Sequence, residues 1–226
     1  MRMHASMSFT EYKERAGNNK MDYGFYALLD RMQYINRWAL MRNSRYENIK
    51  EHSFDVAVVA QSLALIHNHL VEEGKTSVVV DPYKIETLGL YHDCTEIITG
   101  DMPTPIKYRN NTIKSAYREV EHEAAESLVS QLPEYLKDYY MSWLSPSYEG
   151  EEGALNKKIV KAADKICAYI KCIREKLAGN TEFDSAMATL KETIDNIELP
   201  EVKIFMEEFI PSFGMTLDEL NRSAEK

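Results

Sequence analysis

Apolar residues recur at every third or fourth position along almost all of this 226-residue chain, and that spacing limits what it can fold into. Over residues 23–41 the spacing places one set of apolar side chains on a single helical face. That set comprises Phe25, Leu28, Leu29, Met32, Ile35, Trp38 and Leu40. Alternating strands and helices are not indicated, because the one β-like stretch, residues 77–80, is only four residues long. The pattern predicts an all-α fold.

Capping residues and helix breakers divide the chain into separate predicted helices. Asn48, with Glu51 three positions later, predicts the start of a helix that runs to about residue 71. Asp81 followed by Pro82 predicts a second start, for a helix that ends near residues 99–100. Further helices are predicted over residues 112–132, 133–144, 154–178, 181–197, 201–210 and 217–222, with loops at residues 100–105 and 145–153.

Length and composition favour one folded domain. Hydrophobic residues make up 44% of the chain and charged residues 28%, which is ordinary for a globular protein with a substantial core. No internal repeat or low-complexity linker divides the sequence. We therefore expect a single domain over residues 23–222, preceded by a short N-terminal appendage at residues 1–22.

Charge and cysteine content narrow the classes of function. The formal net charge is −9 and no basic run is present, so binding to a nucleic acid polymer is not expected. No apolar run approaches the roughly 20 residues that span a bilayer, so no membrane association is expected. Three cysteines without zinc-site spacing indicate reduced thiols in a cytoplasmic protein. A small anionic substrate stays compatible, because a metal or a few basic side chains set the field locally.

Two of the six histidines have surroundings suited to chemistry. His52 lies near the start of an apolar-faced helix, and His92 precedes Asp93 within the apolar run LGLYHDCTEII. Asp164 lies among small and apolar residues of another predicted helix. A buried carboxylate needs a hydrogen-bond donor or a cation, so these acids either contact core groups or bind a metal. Glu96 follows His92 by four positions, which on one helix would point both toward one cavity.

The remaining histidines are expected to have other roles. His67 and His69 lie two positions apart on a predicted helix, face different sides and are expected to be structural or exposed. His122 forms a single Glu-x-x-His pair with Glu119, which indicates a solvated helix face because di-iron bundles need two such pairs. Two imidazoles and two carboxylates, from His52, His92, Asp93 and Asp164, would suit a divalent transition metal.

Longer sequence words carry a resemblance to a known family. They are INRWALMRN at residues 35–43, ENIKEHS at 47–53, YHDCTEIITGDMPTPIKY at 91–108, VKAADKICAYIKC at 160–172 and FIPSF at 209–213. With the H…HD…D pattern, they resemble the bacterial 5′-deoxynucleotidases of the HD-domain metal-dependent phosphohydrolase superfamily. The resemblance covers about residues 24–220 and implies an all-α, HD-domain helical bundle.

The resemblance also implies roles for individual residues. It implies one divalent transition metal, Co²⁺ or Mn²⁺ in vitro, held by His52, His92, Asp93 and Asp164. It implies a catalytic role for Glu96 beside that metal and for Arg37, which orients the substrate phosphate. The implied substrate contacts are Arg37, Trp38, Asp93, Asp101, Met102, Pro103, Thr104 and Asp164. A homodimer is implied as well.

The activity implied is hydrolysis of 2′-deoxyribonucleoside 5′-monophosphates to deoxynucleoside and phosphate. Two alternatives stay open at this point. One is an HD phosphohydrolase for a cyclic nucleotide, a nucleoside triphosphate or an alarmone, and the other is a non-catalytic nucleotide-binding helical protein. Without the resemblance, the favoured interpretations are that Trp38 is a core anchor of the first helix and that Asp101 is a helix-end cap.

Overall fold

The computed structural model describes residues 23–107 and 109–223, and the chain is all-α over these ranges. The α-helices are α1 (Phe25–Asp30), α2 (Ile49–Glu72), α3 (Pro82–Tyr91), α4 (Glu96–Thr99), α5 (Thr104–Lys107), α6 (Asn111–Ser130), α7 (Glu134–Leu144), α8 (Gly150–Leu177), α9 (Asp184–Asp195), α10 (Pro200–Glu208) and α11 (Leu217–Ser223). Short 3₁₀ helices lie at Arg31–Tyr34, Thr181–Phe183 and Ile210–Gly214. The predicted fold class is confirmed, and the appendage at residues 1–22 lies outside the described residues.

Helix α2 is the central helix of the larger core. Asn48 caps it as predicted, because its side-chain oxygen accepts the backbone N–H groups of Lys50 and Glu51 at 3.0 Å each. The helix is long and apolar enough to cross a membrane, contrary to the expectation from the apolar runs. Here its buried face packs within the protein instead, together with α3, α8 and α10.

Helices α2 and α3 cross closely, which brings their functional ends together. A Cβ on Gly89 would lie 3.0 Å from the Ala57 Cα atom, so a larger residue would push the two helices apart by a few tenths of an ångström. Asp81 caps α3 as predicted and accepts the backbone N–H groups of Tyr83 and Lys84. A second, smaller core joins α1, α6 and α7 around Phe25, Leu128 and Tyr140 and closes the other side of the site.

The helix predicted over residues 23–41 is wrong beyond Tyr34. An antiparallel bridge pairs Asn36 with Asn48, and the backbone N–H of Ile49 donates to the Ile35 carbonyl oxygen at 3.0 Å. Pairing between these two segments of the same chain therefore replaces the helical hydrogen bonds beyond Tyr34. Beyond Tyr34, Ile35 packs on the small core, Trp38 packs against Phe183, and Leu40 is exposed, so the apolar spacing there does not mark one helical face.

Two other predicted boundaries are also wrong. Helix α3 ends at Tyr91, so His92 and Glu96 do not share one helix, and a turn at residues 92–95 separates α3 from α4. Helix α8 begins at Gly150 instead of residue 154, because its first turn tolerates glycine where propensity argued against a helix. The β-like residues 77–80 form no strand; Val80 instead exchanges two hydrogen bonds with the Asn68 side chain.

A buried ion pair anchors the segment between α1 and α2 to helix α8. Glu175, 1% exposed, pairs with Lys171 and accepts the backbone N–H of Ser44 at 2.8 Å and the Asn180 amide at 2.7 Å. Burial opposes ionisation of Glu175, but these hydrogen bonds outweigh it and hold its pKa at about 2. Lys171 also donates to the Arg45 carbonyl oxygen.

The depressed pKa of Glu175 makes an acid-side contribution to stability. The contribution is present above the ordinary glutamate pKa of about 4.3 and is lost as pH falls toward 2. We expect Glu175→Gln to lower the free energy of unfolding at neutral pH by on the order of 2–3 kcal/mol. The deficit should shrink as pH falls, measured by urea unfolding. The exposed Glu192→Gln variant should show no such deficit, and an equal deficit at every pH would contradict the assignment.

The histidine expectations for α2 hold. His67 is buried, with Nδ1 3.1 Å from Glu201 Oε1 and Nε2 2.8 Å from the Val78 carbonyl oxygen, so its role is structural. His69 is exposed beside Glu72 and Glu73.

Candidate metal centre

Four side chains from three parts of the fold converge beside the crossing of α2 and α3. His52 comes from the first turn of α2, His92 and Asp93 from the end of α3, and Asp164 from the middle of α8. One ligand atom from each of His52, His92 and Asp164 lies within 4.8 Å of the other two. Asp93 Oδ2 completes the group, at 3.0 Å from His92 Nε2 and 3.7 Å from His52 Nε2. The structure thus brings together the four predicted ligands.

The hydrogen bonds around His92 fit a bound cation. His92 Nδ1 donates to the Gly89 carbonyl oxygen at 2.7 Å, which fixes the ring and leaves Nε2 facing inward. Nε2 is buried and makes no hydrogen bond, although Asp93 Oδ2 is close to it. A cation held between the nitrogen and the carboxylate would satisfy both atoms, and a mixed N/O donor set suits a divalent transition metal.

The protonation of the four side chains also fits a bound divalent cation. Burial, and then the positive charge of Arg37, lower the pKa of His52, so the ring is held neutral as a ligand must be. Burial opposes ionisation of Asp93 and Asp164, yet the neighbouring imidazoles hold both pKa values below the usual range for aspartate. Burial also favours a neutral His92, but the Asp93 carboxylate outweighs it and raises the pKa of that ring. Both carboxylates are therefore held ionised, as metal ligands must be.

Arg37 borders the cluster in a fixed position. Its backbone N–H donates to the Glu47 carbonyl oxygen at 2.9 Å, and its Nη1 donates to Glu47 Oε1 at 2.6 Å. Its Nη2 lies 3.7 Å from Asp164 Oδ1. Burial disfavours the charged guanidinium, but Asp164 and Glu47 outweigh that effect and raise the pKa of Arg37. The side chain therefore presents a permanent cation beside the four ligands.

Glu47 lies beside the metal-ligand cluster, although it was not among the predicted site residues. It is buried, holds Arg37 through main chain and side chain, and places Oε1 3.8 Å from His52 Nδ1, a buried nitrogen without a hydrogen bond. A metal-binding histidine commonly has a carboxylate behind its other nitrogen. The sequence carries no signal for this role, because the Asn36–Asn48 bridge that brings Glu47 beside Arg37 exists only in the folded chain.

Glu96 lies at the start of α4 with its carboxyl group buried. Oε2 makes no hydrogen bond, and burial, reinforced by the charges of Asp93 and Asp101, raises the pKa of Glu96 to about 9. A divalent cation at the four ligands would oppose that rise. The geometry gives a carboxyl group that can hold or release a proton near neutral pH.

The other predicted substrate residues lie directly after Arg37 and in the loop between α4 and α5. Trp38 is the one non-glycine described residue with a positive φ, at 57°, and packs edge-on against Phe183 at 5.4 Å. Its Nε1 is buried without a partner, so the ring is a core contact that retains an unused donor. Asp101, Met102 and Pro103 are half-buried in the loop before α5.

The pKa of Asp101 is affected by the charges of the metal-ligand cluster and of Arg37. Burial raises its pKa, and the charges of Arg37, Asp93 and His52 all act on it. A helix-end cap is not what the structure gives, because α4 ends at Thr99 and Gly100 follows it with φ 72°. Thr104 begins α5, and its side chain lies outside the described residues.

A cavity of about 420 Å³ opens onto the metal-ligand cluster between α6, α7 and α8. His92, Asp93 and Asp164 form one end of it, and the rings of Tyr117, Trp143 and Tyr148 line its walls. His122, expected on a solvated face, is half exposed and borders this cavity, where its Nδ1 lies 2.8 Å from Ser145 Oγ. The volume suits a small-molecule ligand that reaches the cluster.

Solved structures with the same architecture define the class of protein. An HD-domain phosphohydrolase from Listeria innocua aligns with a TM-score of 0.68 and 23% identity over 84% of this chain and 87% of its own. The HD phosphohydrolase of cyanophage S-2L, solved with dA and one catalytic Zn²⁺ ion, aligns with a TM-score of 0.53 and 20% identity. That alignment covers 84% of this chain and 96% of the cyanophage protein. The fold is that of the HD-domain phosphohydrolases.

Sequence comparison narrows the class. The family model described as 5′-deoxynucleotidase YfbR-like matches residues 24–213. A 5′-deoxynucleotidase of Pectobacterium atrosepticum is 44% identical over 200 residues, which cover 88% of this chain and 96% of that protein. One from Yersinia pestis is 44% identical over 197 residues, with 87% and 96% covered. The chain belongs to the YfbR-like 5′-deoxynucleotidase family, which confirms the resemblance predicted from its motifs.

Proposed function

We propose that this protein hydrolyses 2′-deoxyribonucleoside 5′-monophosphates to the deoxynucleoside and inorganic phosphate. The observation that carries the proposal is the convergence of His52, His92, Asp93 and Asp164 beside Arg37, within the segment that matches the family. The 5′-deoxynucleotidase names of relatives at 42–44% identity support the same substrate class. None of the observations favours a cyclic nucleotide, a triphosphate, an alarmone or a purely binding role.

His52, His92, Asp93 and Asp164 would hold one divalent transition metal. When bound, such an ion polarises a phosphoryl oxygen and lowers the pKa of a water ligand. The donor set suits Co²⁺, Mn²⁺ or Zn²⁺, and the Zn²⁺ in the cyanophage HD phosphohydrolase supports a divalent ion of this kind.

Arg37 orients the phosphate. Its guanidinium is held by Glu47, so ordering it costs little when substrate binds, and a planar fork can donate two parallel hydrogen bonds to non-bridging oxygens. In-line attack at phosphorus requires that the departing 5′-oxygen lie opposite the incoming water. Fixing the non-bridging oxygens fixes that line.

Glu96 handles the proton. With its carboxyl buried and its pKa near 9 in the absence of a cation, it can keep a proton for the departing 5′-oxygen or take one from the attacking water. A cation held by the four ligands would lower the pKa of Glu96 from that value, toward the range in which an acid–base group works best.

Trp38 and the Asp101–Thr104 loop select the sugar. Trp38 packed against C2′ would leave a 2′-hydroxyl without room or hydrogen-bond partner, and its backbone conformation and Phe183 contact hold the ring in place. Asp101, half-buried beside the centre, would accept a hydrogen bond from the 3′-hydroxyl. The resemblance also assigns substrate contacts to Met102, Pro103 and Thr104 of the same loop.

The protein acts in the cytoplasm as a homodimer. Its three cysteines, Cys94, Cys167 and Cys172, are free and buried, as expected of a reducing compartment. Exposed apolar side chains at the C-terminal end, among them Phe209 and Leu217, would serve the contact between subunits.

The direct test is product analysis. Metal-loaded protein incubated with a deoxynucleoside 5′-monophosphate should release deoxynucleoside and phosphate in equal amounts, and the matching 3′-monophosphate should stay intact. Release of the free base, or equal cleavage of both isomers, would contradict the proposed reaction.

Glu47→Gln should weaken substrate binding in assays at saturating metal, and, because Glu47 also lies behind His52, it should lower metal affinity as well. The change removes the charge-assisted hydrogen bond that holds Arg37, which is worth about 1.5–3 kcal/mol, so we expect KM to rise about tenfold. Steady-state kinetics and metal analysis of the same preparation check this. An unchanged KM would show that Arg37 does not depend on Glu47.

A further inference from the structure

Three basic side chains line part of the same cavity, beside its aromatic residues. Lys157 and Lys161 come from α8, Arg118 from α6, and all three border the cavity that also contains His92, Asp93 and Asp164. Lys157, Lys161 and Asp164 are spaced by four and three positions on one helix, so they share a face. At a rise of 1.5 Å per residue, Lys161 lies about one turn from the metal-ligand Asp164, and Lys157 about two turns.

This basic wall, defined as Arg118, Lys157 and Lys161, has no acidic partner. Among the described residues no carboxylate lies within 4.0 Å of any of the three, whereas the neighbouring Lys107 pairs with Glu121 at 2.6 Å. Lys157 lies over the Tyr148 ring at 4.7 Å, a contact that leaves its charge uncancelled.

The charges of the wall act on one another. Burial lowers the pKa of Lys161, and repulsion from Lys157 and Arg118 lowers it further. Clustering like charges in a chain whose net charge is −9 costs stability unless a ligand compensates for it. The chain has 36 acidic residues, yet among the described residues none of them forms an ion pair with Arg118, Lys157 or Lys161.

The metal centre alone does not balance the charge of a phosphate monoester. A divalent ion is matched by Asp93 and Asp164, and Arg37 is matched by Glu47. A phosphate monoester near neutral pH carries up to two negative charges. Further positive charge within this cavity comes from Lys107, which pairs with Glu121, from Lys114, and from the three residues of the basic wall.

We propose that Arg118, Lys157 and Lys161 form an anion-attracting wall that makes the site selective for doubly charged phosphate monoesters over singly charged esters of the same shape. This rests on the proposed function and adds specificity-determining residues to it. The wall acts at the binding stage, by raising the local concentration of the dianion and stabilising it beside the metal.

A pair of isosteric ligands separates charge from shape. Deoxythymidine 5′-monophosphate and deoxythymidine 5′-sulfate are both tetrahedral esters, and the sulfate carries one negative charge only. Binding of both is measured by calorimetry to metal-loaded protein carrying Glu96→Gln, so that the phosphate is not consumed. The same protein with Lys157→Gln and Lys161→Gln added is compared with a control carrying Lys176→Gln and Lys203→Gln. The control removes the same charge at exposed positions outside the cavity.

We expect the intact wall to bind the phosphate about tenfold or more tightly than the sulfate, and the Lys157/Lys161 variant to lose most of that preference. The Lys176/Lys203 control should keep it. Equal loss in both double variants, or an undiminished preference without Lys157 and Lys161, would overturn the proposal. Thermal unfolding of each variant establishes that it is folded.

Failure here differs from failure of the proposed function. If no deoxynucleotide is hydrolysed but the preference for the dianion depends on Lys157 and Lys161, the wall stands and the reaction is wrong. If hydrolysis proceeds and the preference does not depend on them, the reaction stands and the wall is wrong.

Discussion

Asp93→Asn is expected to produce a protein that neither retains metal nor releases phosphate from a deoxynucleotide. The substitution keeps the size of the side chain but removes a charge that lies 3.0 Å from His92 Nε2 and 3.7 Å from His52 Nε2. Losing one of two anionic ligands leaves the remaining donors with too little charge to hold a divalent ion. We expect phosphate release to fall roughly a thousandfold or more, because several kcal/mol of transition-state stabilisation depend on the metal.

Metal content after dialysis, measured on the same sample as activity, checks this expectation. Asp138→Asn is a suitable control, because it removes the same charge from an exposed position on α7. Full metal occupancy in Asp93→Asn, with activity intact, would remove Asp93 from the ligand set.

Glu96→Gln is expected to separate metal binding from turnover. The carboxyl group is buried beside the ligands without contacting any of them through a hydrogen bond, so its loss should leave metal content unchanged. Proton transfer by a positioned side chain contributes about 10²–10⁴-fold, and we expect kcat to fall by that factor with a smaller change in KM. Metal-free Glu96→Gln protein would contradict this division of roles, and an unchanged kcat would show that another group moves the proton.

Local signals in the sequence were sufficient for most of the fold. Helix starts at Asn48 and Asp81 were predictable because each carries its own cap, and the apolar period placed the long helices within a few residues. The segment at residues 35–48 could not be predicted in this way. Its conformation depends on the Asn36–Asn48 bridge and on Glu175, more than a hundred positions away, neither of which leaves a periodic signal.

The metal ligands were accessible from motif words, but their geometry was not. His92 and Glu96 were expected on one helix, whereas α3 ends at Tyr91 and a turn presents Asp93 to the cluster. Glu47 and the basic wall could not be predicted from the sequence, for a related reason. Each becomes recognisable only when separate elements pack. Glu47 then lies between Arg37 and His52, and Lys157 and Lys161 of α8 border one cavity with Arg118 of α6.

The central claim is that a metal held by His52, His92, Asp93 and Asp164 serves hydrolysis of deoxynucleoside 5′-monophosphates. The measurement that tests it most directly is phosphate release from matched pairs of deoxynucleotides and ribonucleotides, after chelation and after Co²⁺, Mn²⁺ or Zn²⁺ is restored. We predict no release after chelation, recovery with the metal, and at least about a tenfold preference in kcat/KM for the deoxy member of each pair. Release that persists in the chelated protein, or equal rates for both sugars with the metal restored, would contradict the account.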